Sequence, residues 1–373
     1  MYTTADTAER TSVEPGEGEL TSAEVFWRDL QPWLLECGYQ LRPRYRKGWI
    51  PSWKKSKKFS LSCEDGQPII HGSVLDAVRV GDGVRVGLKK VKKSLHPYEE
   101  EIARYLGSEP LLSDPHNHCV PIFEALHPPT DLNFVILVMP LLRSYDSPRF
   151  DTVGEVVECF RQLFEGLQFM HEHHIAHRFD LCAQNFMFDR HNIFPHGYHF
   201  VLDNRTPDIK RRAKHFTRTQ RPVKYYITDY GLSRRYNLND GIPLELPILG
   251  GDKTVPEFKS NYEAQNPFPT DVYYVGNLVR QYFLDGSRQA RLRIHETTID
   301  EMVQEDPTKR PTMDEVVRRF DDLVQGLSFF KLRSRVPQRK DNIFIALEHC
   351  IPHWLRKFRS IIRRTPAMPI PAD

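Results

Sequence analysis

The chain has 373 residues, of which 40% are hydrophobic and 27% are charged, so it can bury a sizeable core and is not globally disordered. It has no run of 18 apolar residues, which excludes a conventional membrane-spanning helix, and its polar, acidic start is unlike a secretory signal. The six cysteines form no CxxC pair, which favours reduced thiols over a zinc ribbon or a disulfide framework. We therefore expect an intracellular protein, in the cytoplasm or the nucleus.

Positive charge is clustered, although the net charge is only +3. Residues 42–58 hold eight Lys and Arg and no acid, and residues 205–224 hold eight and one acid, Asp208. A solvated surface is the commoner role of such a run, and binding of an acidic or phosphorylated partner is the alternative. Both interpretations stay open for residues 205–224, and we expect no nucleic-acid partner.

The first part of the chain changes from a polar tail to a helix and then to strands. Residues 1–21 are predicted to be a disordered tail, because they have almost no aliphatic side chains. Residues 22–58 begin with a helix and contain four tryptophans, so we expect this segment to pack on the main domain. From residue 59, short alternating runs predict a sheet, with Gly81-Asp82-Gly83 as a hairpin turn and one helix around EEEIARYL.

After Asp151 the apolar residues recur at helical spacing, so the fold class is predicted to be α+β, with a β-rich part before an α-rich part. One of the later helices is predicted to begin at Thr312, which has the capping-box spacing to Glu315. The tail, residues 335–373, is predicted to be a basic amphipathic extension. We favour its docking on the domain and keep contact with an anionic membrane as the alternative.

Five polar residues follow one another in an order that can carry chemistry. Lys89 ends a strand, Glu101 lies in the next helix, Asp180 and Asn185 lie in AHRFDLCAQN, and Asp229 lies in ITDYGLS. Taken singly, each residue has an ordinary structural explanation. In this order, however, they resemble the protein kinase family, with VGLK as the strand-3 lysine motif, DLCAQN as the catalytic loop and DYG as the metal motif.

Further motifs follow in the order of the same family. Val255-Pro256-Glu257 resembles the APE motif, DVYYVG at Asp271 resembles the helix-F motif, and RP at Arg310 resembles the late C-lobe motif. The resemblance covers about residues 60–330. A closer resemblance is to kinase-like proteins of mushroom-forming fungi, carried by the FW…QPWL leader and by the HCVPI and PVKYY segments.

The resemblance implies a two-lobed protein kinase-like fold. Its small β-rich N-lobe would span residues 59–142, and its larger α-helical C-lobe would span residues 143–334, with an insertion at about 190–222. ATP would lie between the lobes, against a hinge formed by Met139 to Leu142.

The resemblance also implies ATP and Mg²⁺ as cofactors and transfer of the γ-phosphate to a protein hydroxyl, that of Ser or Thr. Asp180 would be the base, Lys89 and Glu101 would pair to orient the phosphates, and Asn185 and Asp229 would hold Mg²⁺. Further nucleotide contacts are assigned to Gly72, Val74, Met139 and Leu141, and structural roles to Glu257, Asp271 and Arg310, with Glu257 and Arg310 as a buried ion pair.

The partner of Lys89 is chosen among three adjacent glutamates. Glu99 and Glu100 compete with Glu101 for this role. We prefer Glu101, because it would leave Ile102 and Tyr105 on the packing face of the helix.

Two departures from the family pattern keep a second function open. Only Gly72 stands at a position of the glycine-rich loop, since Gln67 and Ile69 occupy the other two, and a Cβ there hinders the approach of backbone to phosphate. Phe179 also separates Arg178 from Asp180. The alternative is therefore a pseudokinase scaffold with weak or no ATP turnover. A small-molecule phosphotransferase is disfavoured by the VPE motif.

Overall fold

The computed structural model describes residues 19–56, 58–69, 72–178, 184–246, 252, 254–259, 263–281, 296–336 and 343–371, and there the protein is mixed α+β. The described strands are β1 (Tyr39–Leu41), β2 (Val74–Arg79), β3 (Arg85–Lys92), β4 (Glu124–Leu126), β5 (Phe134–Pro140), β6 (Leu142–Ser144), β7 (Ile175–Ala176), β8 (Phe186–Asp189), β9 (Tyr225–Ile227) and β10 (Arg234–Arg235). The described helices are α1 (Ser22–Glu36), α2 (Ser52–Ser56), α3 (Glu99–Leu106), α4 (Val153–Glu172), α5 (Pro267–Val279), α6 (Glu296–Met302), α7 (Met313–Gln325), α8 (Phe329–Leu332) and α9 (Ile343–Ile362).

The larger sheet has five antiparallel strands in the order β1-β2-β3-β5-β4. The predicted turn at residues 81–83 joins β2 to β3, and Gly83 has φ 71°, which glycine adopts without a steric penalty. Strand β1 comes from the tryptophan-rich segment, so residues 22–58 supply a strand of this sheet as well as packing against it.

The two faces of this sheet are covered by different helices. Along β5, Val135 and Leu137 belong to the core shared with α3 and the helical region, whereas Ile136 and Val138 belong to the core under α1. This alternation follows from the two-residue repeat of a strand, in which successive side chains point to opposite faces. The sheet is therefore buried on both sides.

Helix α1 is held against the sheet by apolar packing and by a buried ion pair. Trp27, Leu30 and Leu34 are buried in the sheet core. Glu24, also buried, accepts hydrogen bonds from Arg44 at 2.6 and 2.8 Å. The helix therefore anchors the long connection between β1 and β2, which contains Arg44.

The helical region is built around α4, whose predicted apolar positions, including Phe160 and Phe164, are buried. Helix α7 packs across it, with the ring of Phe320 at 5.1 Å from that of Phe164. The capping box predicted for Thr312 and Glu315 is confirmed by both of its hydrogen bonds. A three-stranded sheet, ordered β6-β8-β9, lies beside α4.

Part of the basic insertion is structural. Arg218 is buried and donates hydrogen bonds to the carbonyls of Tyr145 and Pro148 at 2.6 and 2.7 Å. The same insertion reaches the larger sheet, where Arg85 donates to the carbonyl of Tyr198 at 3.3 Å. Six other basic side chains of residues 205–224 are exposed, namely Arg205, Lys210, Arg211, Arg212, Lys214 and Arg221.

Helix α9 docks on the start of α4 through polar side chains. His353 lies 3.1 Å from Asp151, and Arg356 donates two hydrogen bonds to the same carboxylate at 2.9 and 3.0 Å. Ser360 is buried on the same side. The side chains of residues 343–349 lie outside the described part of the chain. No helix among the described residues is long and apolar enough to cross a membrane.

Candidate functional site

Lys89 brings together two carboxylates from distant parts of the sequence. Its ammonium group donates one hydrogen bond to Glu99 in α3 and another to Asp229, at 2.9 Å. Strand β3 presents Lys89 toward the end of β9, where Asp229 follows the strand after Thr228. The site therefore lies where the larger sheet meets the helical region.

Glu101 is not the partner of Lys89, and the preference for it was wrong. Glu99 is 2% exposed and shares one face of α3 with Ile102, Ala103 and Leu106, whereas Glu101 faces solvent. Positions separated by three, four and seven residues lie on one face of a helix. Glu99 has this spacing to the three buried apolar residues, and Glu101 does not. This spacing was readable in the sequence.

The charges of Lys89, Glu99 and Asp229 affect the pKa values within this cluster. Partial burial opposes ionisation of Asp229, but Lys89 and the backbone N–H of Gly231 outweigh it and lower the pKa of Asp229 to about 2. Burial also disfavours the ammonium form of Lys89, yet both carboxylates raise its pKa above the usual value. Burial raises the pKa of Glu99, even beside Lys89. At neutral pH, Asp229 is therefore an anion and Lys89 a cation.

Two residues at the site have left-handed backbones that are unusual for side chains with a Cβ. Asp229 has φ 66° and Arg178 has φ 59°. Such conformations cost about 1–3 kcal/mol each and cluster at functional sites. His174, Ile209 and Arg364 have the same conformation elsewhere in the described chain, so it marks Asp229 and Arg178 as strained without assigning them a function.

Asn185 lies at the same end of the β8–β9 pair as Asp229. It is buried just before β8, and its carbonyl accepts a hydrogen bond from the backbone N–H of Thr228 at 2.9 Å. The pairing of Phe186 with Ile227 sets this arrangement. An amide and an ionised carboxylate are thus placed on adjacent chain segments, and both offer oxygen ligands that suit Mg²⁺.

The residues after Asp229 are anchored on both sides. The hydroxyl of Tyr230 accepts from the N–H of Val120 at 2.8 Å and lies 3.0 Å from the carbonyl of Ile227. His96 contacts the carbonyl of Gly231 at 3.0 Å, and a Cβ on Gly231 would lie only 2.7 Å from the His96 ring. A larger residue at 231 would therefore displace the His96 ring and disturb its contact with this segment.

Asp271 holds the chain that leads into the predicted catalytic loop. Its carboxylate is fully buried and accepts hydrogen bonds from the backbone N–H groups of His177 and Arg178 at 2.7 and 2.8 Å. The assignment of Asp271 as a structural residue agrees with this geometry. Asp180 and Phe179 belong to residues 179–183, which lie outside the described residues.

Arg178 makes a contact that the sequence analysis missed. Its guanidinium group lies 2.9 Å from the carboxylate of Glu245, and the Arg178 side chain is nearly buried. The other oxygen of Glu245 accepts a hydrogen bond from Tyr236 at 3.2 Å. Glu245 lies in the segment between Asp229 and Glu257, and no sequence motif identified it.

Glu257 and Arg310 form the buried ion pair that the sequence analysis expects. Two hydrogen bonds of 2.6 and 2.8 Å join the groups, and their side chains are 3% and 0% exposed. Thr270 also donates to Glu257 at 2.8 Å, and Arg310 donates to the carbonyl of Pro269 at 3.0 Å. The pair ties the segment of Glu257 to the helical region.

Gly72 is explained by packing against α1. A Cβ on Gly72 would lie 2.5 Å from the Cβ of Ala23, and its carbonyl accepts from Trp27 at 2.9 Å. Gln67 is buried and donates to the carbonyls of its own loop, and Ile69 is part of the core under α1. The connection between β1 and β2 is therefore folded against α1.

The other predicted nucleotide contacts lie on or next to the strands around Lys89. Val74 stands opposite Lys89 in the β2–β3 register, and Met139 stands opposite Gly87 in the β3–β5 register. Leu141 lies between β5 and β6, where the chain passes from one sheet to the other. Val74 is thus a direct neighbour of Lys89 in the sheet, whereas Met139 and Leu141 lie further along the chain, toward and beyond the end of β5.

The described residues of the site include one group that can contact a metal ion and one that can contact a phosphate. Asp229 is ionised and its side chain is 43% exposed, so it can bind a cation, and Lys89 supplies a cation for phosphate oxygens.

Among comparisons with known proteins, neither a protein-family model nor a curated protein matches the chain.

Proposed function

We propose that the chain has a two-lobed protein kinase-like fold and transfers the γ-phosphate of ATP to a Ser or Thr hydroxyl of a protein. The observation that carries this proposal is the double contact of Lys89 with Glu99 and Asp229. A lysine held by a helix carboxylate, next to a metal-binding carboxylate, is the arrangement that kinases use to orient ATP phosphates.

Each residue of the cluster has a defined task in this proposal. Glu99 positions Lys89, whose ammonium group binds phosphate oxygens. Asp229 and Asn185 hold Mg²⁺, which neutralises charge on the phosphates when it is bound. Asp180 accepts the proton of the acceptor hydroxyl, and Asp271 positions the start of its loop through the backbone of Arg178.

Binding of Mg-ATP is the first test. A ligand at 100 times its dissociation constant adds about 2.7 kcal/mol to the free energy of unfolding, which is measurable as a thermal shift. We expect a shift that needs Mg²⁺ and is lost in Asp229→Asn. The melting temperature of each variant without ligand controls for loss of folding.

The glutamates of α3 offer a matched pair for the second test. Glu99→Gln should lower the rate of phosphoryl transfer by at least about tenfold, because Lys89 loses the carboxylate that positions it. Glu101→Gln should leave the rate unchanged, because Glu101 faces solvent on the other side of α3. Equal rates in the two variants would contradict the role given to Glu99.

A nucleotide-binding scaffold without turnover is the second candidate function. The observation that favours it is the connection from β1 to β2, which packs Ile69 and Gly72 against α1 and has no glycine-rich turn among its described residues. Asp180→Ala distinguishes the two functions. A kinase loses transfer in this variant while keeping the Mg-ATP thermal shift, whereas a scaffold shows no transfer before or after the change.

A further inference from the structure

An ordinary surface helix buries its apolar face, but helix α9 buries polar side chains against the protein. The side turned toward the protein carries His353 and Ser360, both buried, with Arg356 at its margin. Asp151 of the main domain receives His353 and Arg356. The attachment is therefore polar, and the apolar side of α9 is left outside.

The outward side of α9 is a continuous apolar strip. At 3.6 residues per turn, its members fall within an arc of about 120° that lies opposite His353 and Ser360. Trp354 is 49% exposed and Phe358 is 60% exposed. We call this strip the outer face of α9, and its members are Ile351, Trp354, Leu355, Phe358, Ile361 and Ile362.

Positive charge borders the outer face, and no acid accompanies it. Residues 350–372 contain five basic side chains and no Asp or Glu. Arg359 and Arg363 are exposed along one margin of the strip. Lys357 lies along the other margin, 4.8 Å from the centre of the Trp354 ring.

We propose that the outer face of α9 binds the surface of an anionic lipid bilayer. A helix with Trp, Phe and Leu on one face and Lys and Arg at its margins lies in the plane of the interface, where its apolar side enters the acyl boundary. Arg356 is paired with Asp151, but anionic headgroups complement the other four basic side chains, and an interfacial Trp suits the headgroup level. Because Asp151 already holds α9 with this face outward, binding requires no release of the helix.

A second copy of the chain fits this face less well. In a symmetric dimer the same patch meets itself, so the margins with Arg359 and Arg363 of both copies would face one another. Such like charges repel, and no acidic residue of the helix end compensates them. The proposal does not depend on phosphoryl transfer, because none of the residues of the Lys89 cluster belongs to α9.

Co-sedimentation of the full chain with vesicles tests the proposal. We expect binding to vesicles of phosphatidylcholine with phosphatidylserine and little binding to phosphatidylcholine alone, with a decrease at high salt. Trp354→Ala with Phe358→Ala should lower the partition coefficient at least about tenfold, through lost apolar burial. Arg363→Gln with Arg364→Gln should lower it about fivefold per charge removed.

A matched control removes exposed apolar side chains elsewhere. Leu132 and Ile242 are 76% and 74% exposed and lie outside α9, so Leu132→Ala with Ile242→Ala should bind as the unchanged chain does. Equal binding by the control and by the Trp354 and Phe358 variant would overturn the proposal. Absence of binding to phosphatidylserine vesicles would also overturn the proposal. So would a dimer that dissociates in the Trp354 and Phe358 variant, if neither the dimer nor the variant binds vesicles.

Discussion

Helices α1 and α9 are both amphipathic and both contain a proline, Pro32 or Pro352, yet they contact the protein in opposite ways. Helix α1 buries its apolar face with Trp27 against the sheet, whereas α9 buries polar side chains and exposes Trp354. An amphipathic pattern therefore predicts that a helix has two faces. Which face contacts the protein depends on the surface that receives it, which is apolar under α1 and contains Asp151 under α9.

The largest effect is expected at Trp27. Trp27→Ala should lower the free energy of unfolding by roughly 3–5 kcal/mol, because it leaves a cavity between α1 and the sheet and removes the hydrogen bond to Gly72. Denaturant unfolding measures this change. A loss below about 1 kcal/mol would mean that α1 contributes little to the core.

A comparable loss is expected at the buried ion pair of α1. Glu24→Ala leaves the Arg44 guanidinium buried without its carboxylate, which costs about 3–5 kcal/mol. The double change Glu24→Leu with Arg44→Met should cost less than the single one, because no charge stays buried. Arg28→Ala is the control, since the exposed pair of Arg28 with Asp29 contributes less than about 1 kcal/mol.

A smaller, pH-dependent effect on the free energy of unfolding is expected at Asp151, which binds α9. Burial opposes ionisation of Asp151, but His353 and Arg356 lower its pKa to about 2. The folded-state pKa is thus below the unfolded value of about 3.9, so the contribution of Asp151 is present above pH 4 and is lost as the pH falls toward 2. This contribution is roughly 2–3 kcal/mol at neutral pH, because each tenfold change in the acid dissociation constant corresponds to about 1.4 kcal/mol.

Asp151→Asn should remove that contribution. At neutral pH the variant should be less stable than the unchanged chain, and the two stabilities should converge as the pH falls from about 4 to about 2. Unfolding curves of both chains across this range measure the difference. A difference that is constant with pH would show that the Asp151 carboxylate is not linked to folding.

The smallest effect is expected on the outer face of α9. Trp354→Ala should change the free energy of unfolding by less than about 0.5 kcal/mol, because the ring is about half exposed and lies on the side away from the protein. Comparison of Trp354→Ala with Trp27→Ala, the same substitution in α1, tests directly whether the two helices bury opposite faces. A loss similar to that of Trp27 would show that the outer face is covered by the protein.

Most features of the fold that the sequence predicted correctly depend on residues that are neighbours in the sequence. The α+β class, the turn at residues 81–83, the periodicity of α4 and the capping box of Thr312 each depend on residues that are close in the sequence. Strand β1 was not predicted, because a strand of three residues has too short a pattern to be recognised and is defined by its pairing with β2. The docked side of α9 likewise depends on a distant residue, Asp151.

At the site, motif residues were predictable and their partners were less so. Lys89 and Asp229 were assigned together, and the structure joins them by a hydrogen bond. The helical spacing of Glu99 with Ile102, Ala103 and Leu106 favours Glu99, and the preference for Glu101 was wrong. Glu245 had no local signal, because its contact with Arg178 depends on how the segment after Asp229 folds back.

The connection from β1 to β2 has a consequence for local unfolding. Its described residues around Ile69 and Gly72 cannot leave α1 unless Ile69 leaves the core and the hydrogen bond from Trp27 to the carbonyl of Gly72 breaks. Hydrogen exchange of the backbone amides in this connection should therefore be slow, because exchange there requires the core under α1 to open as a unit.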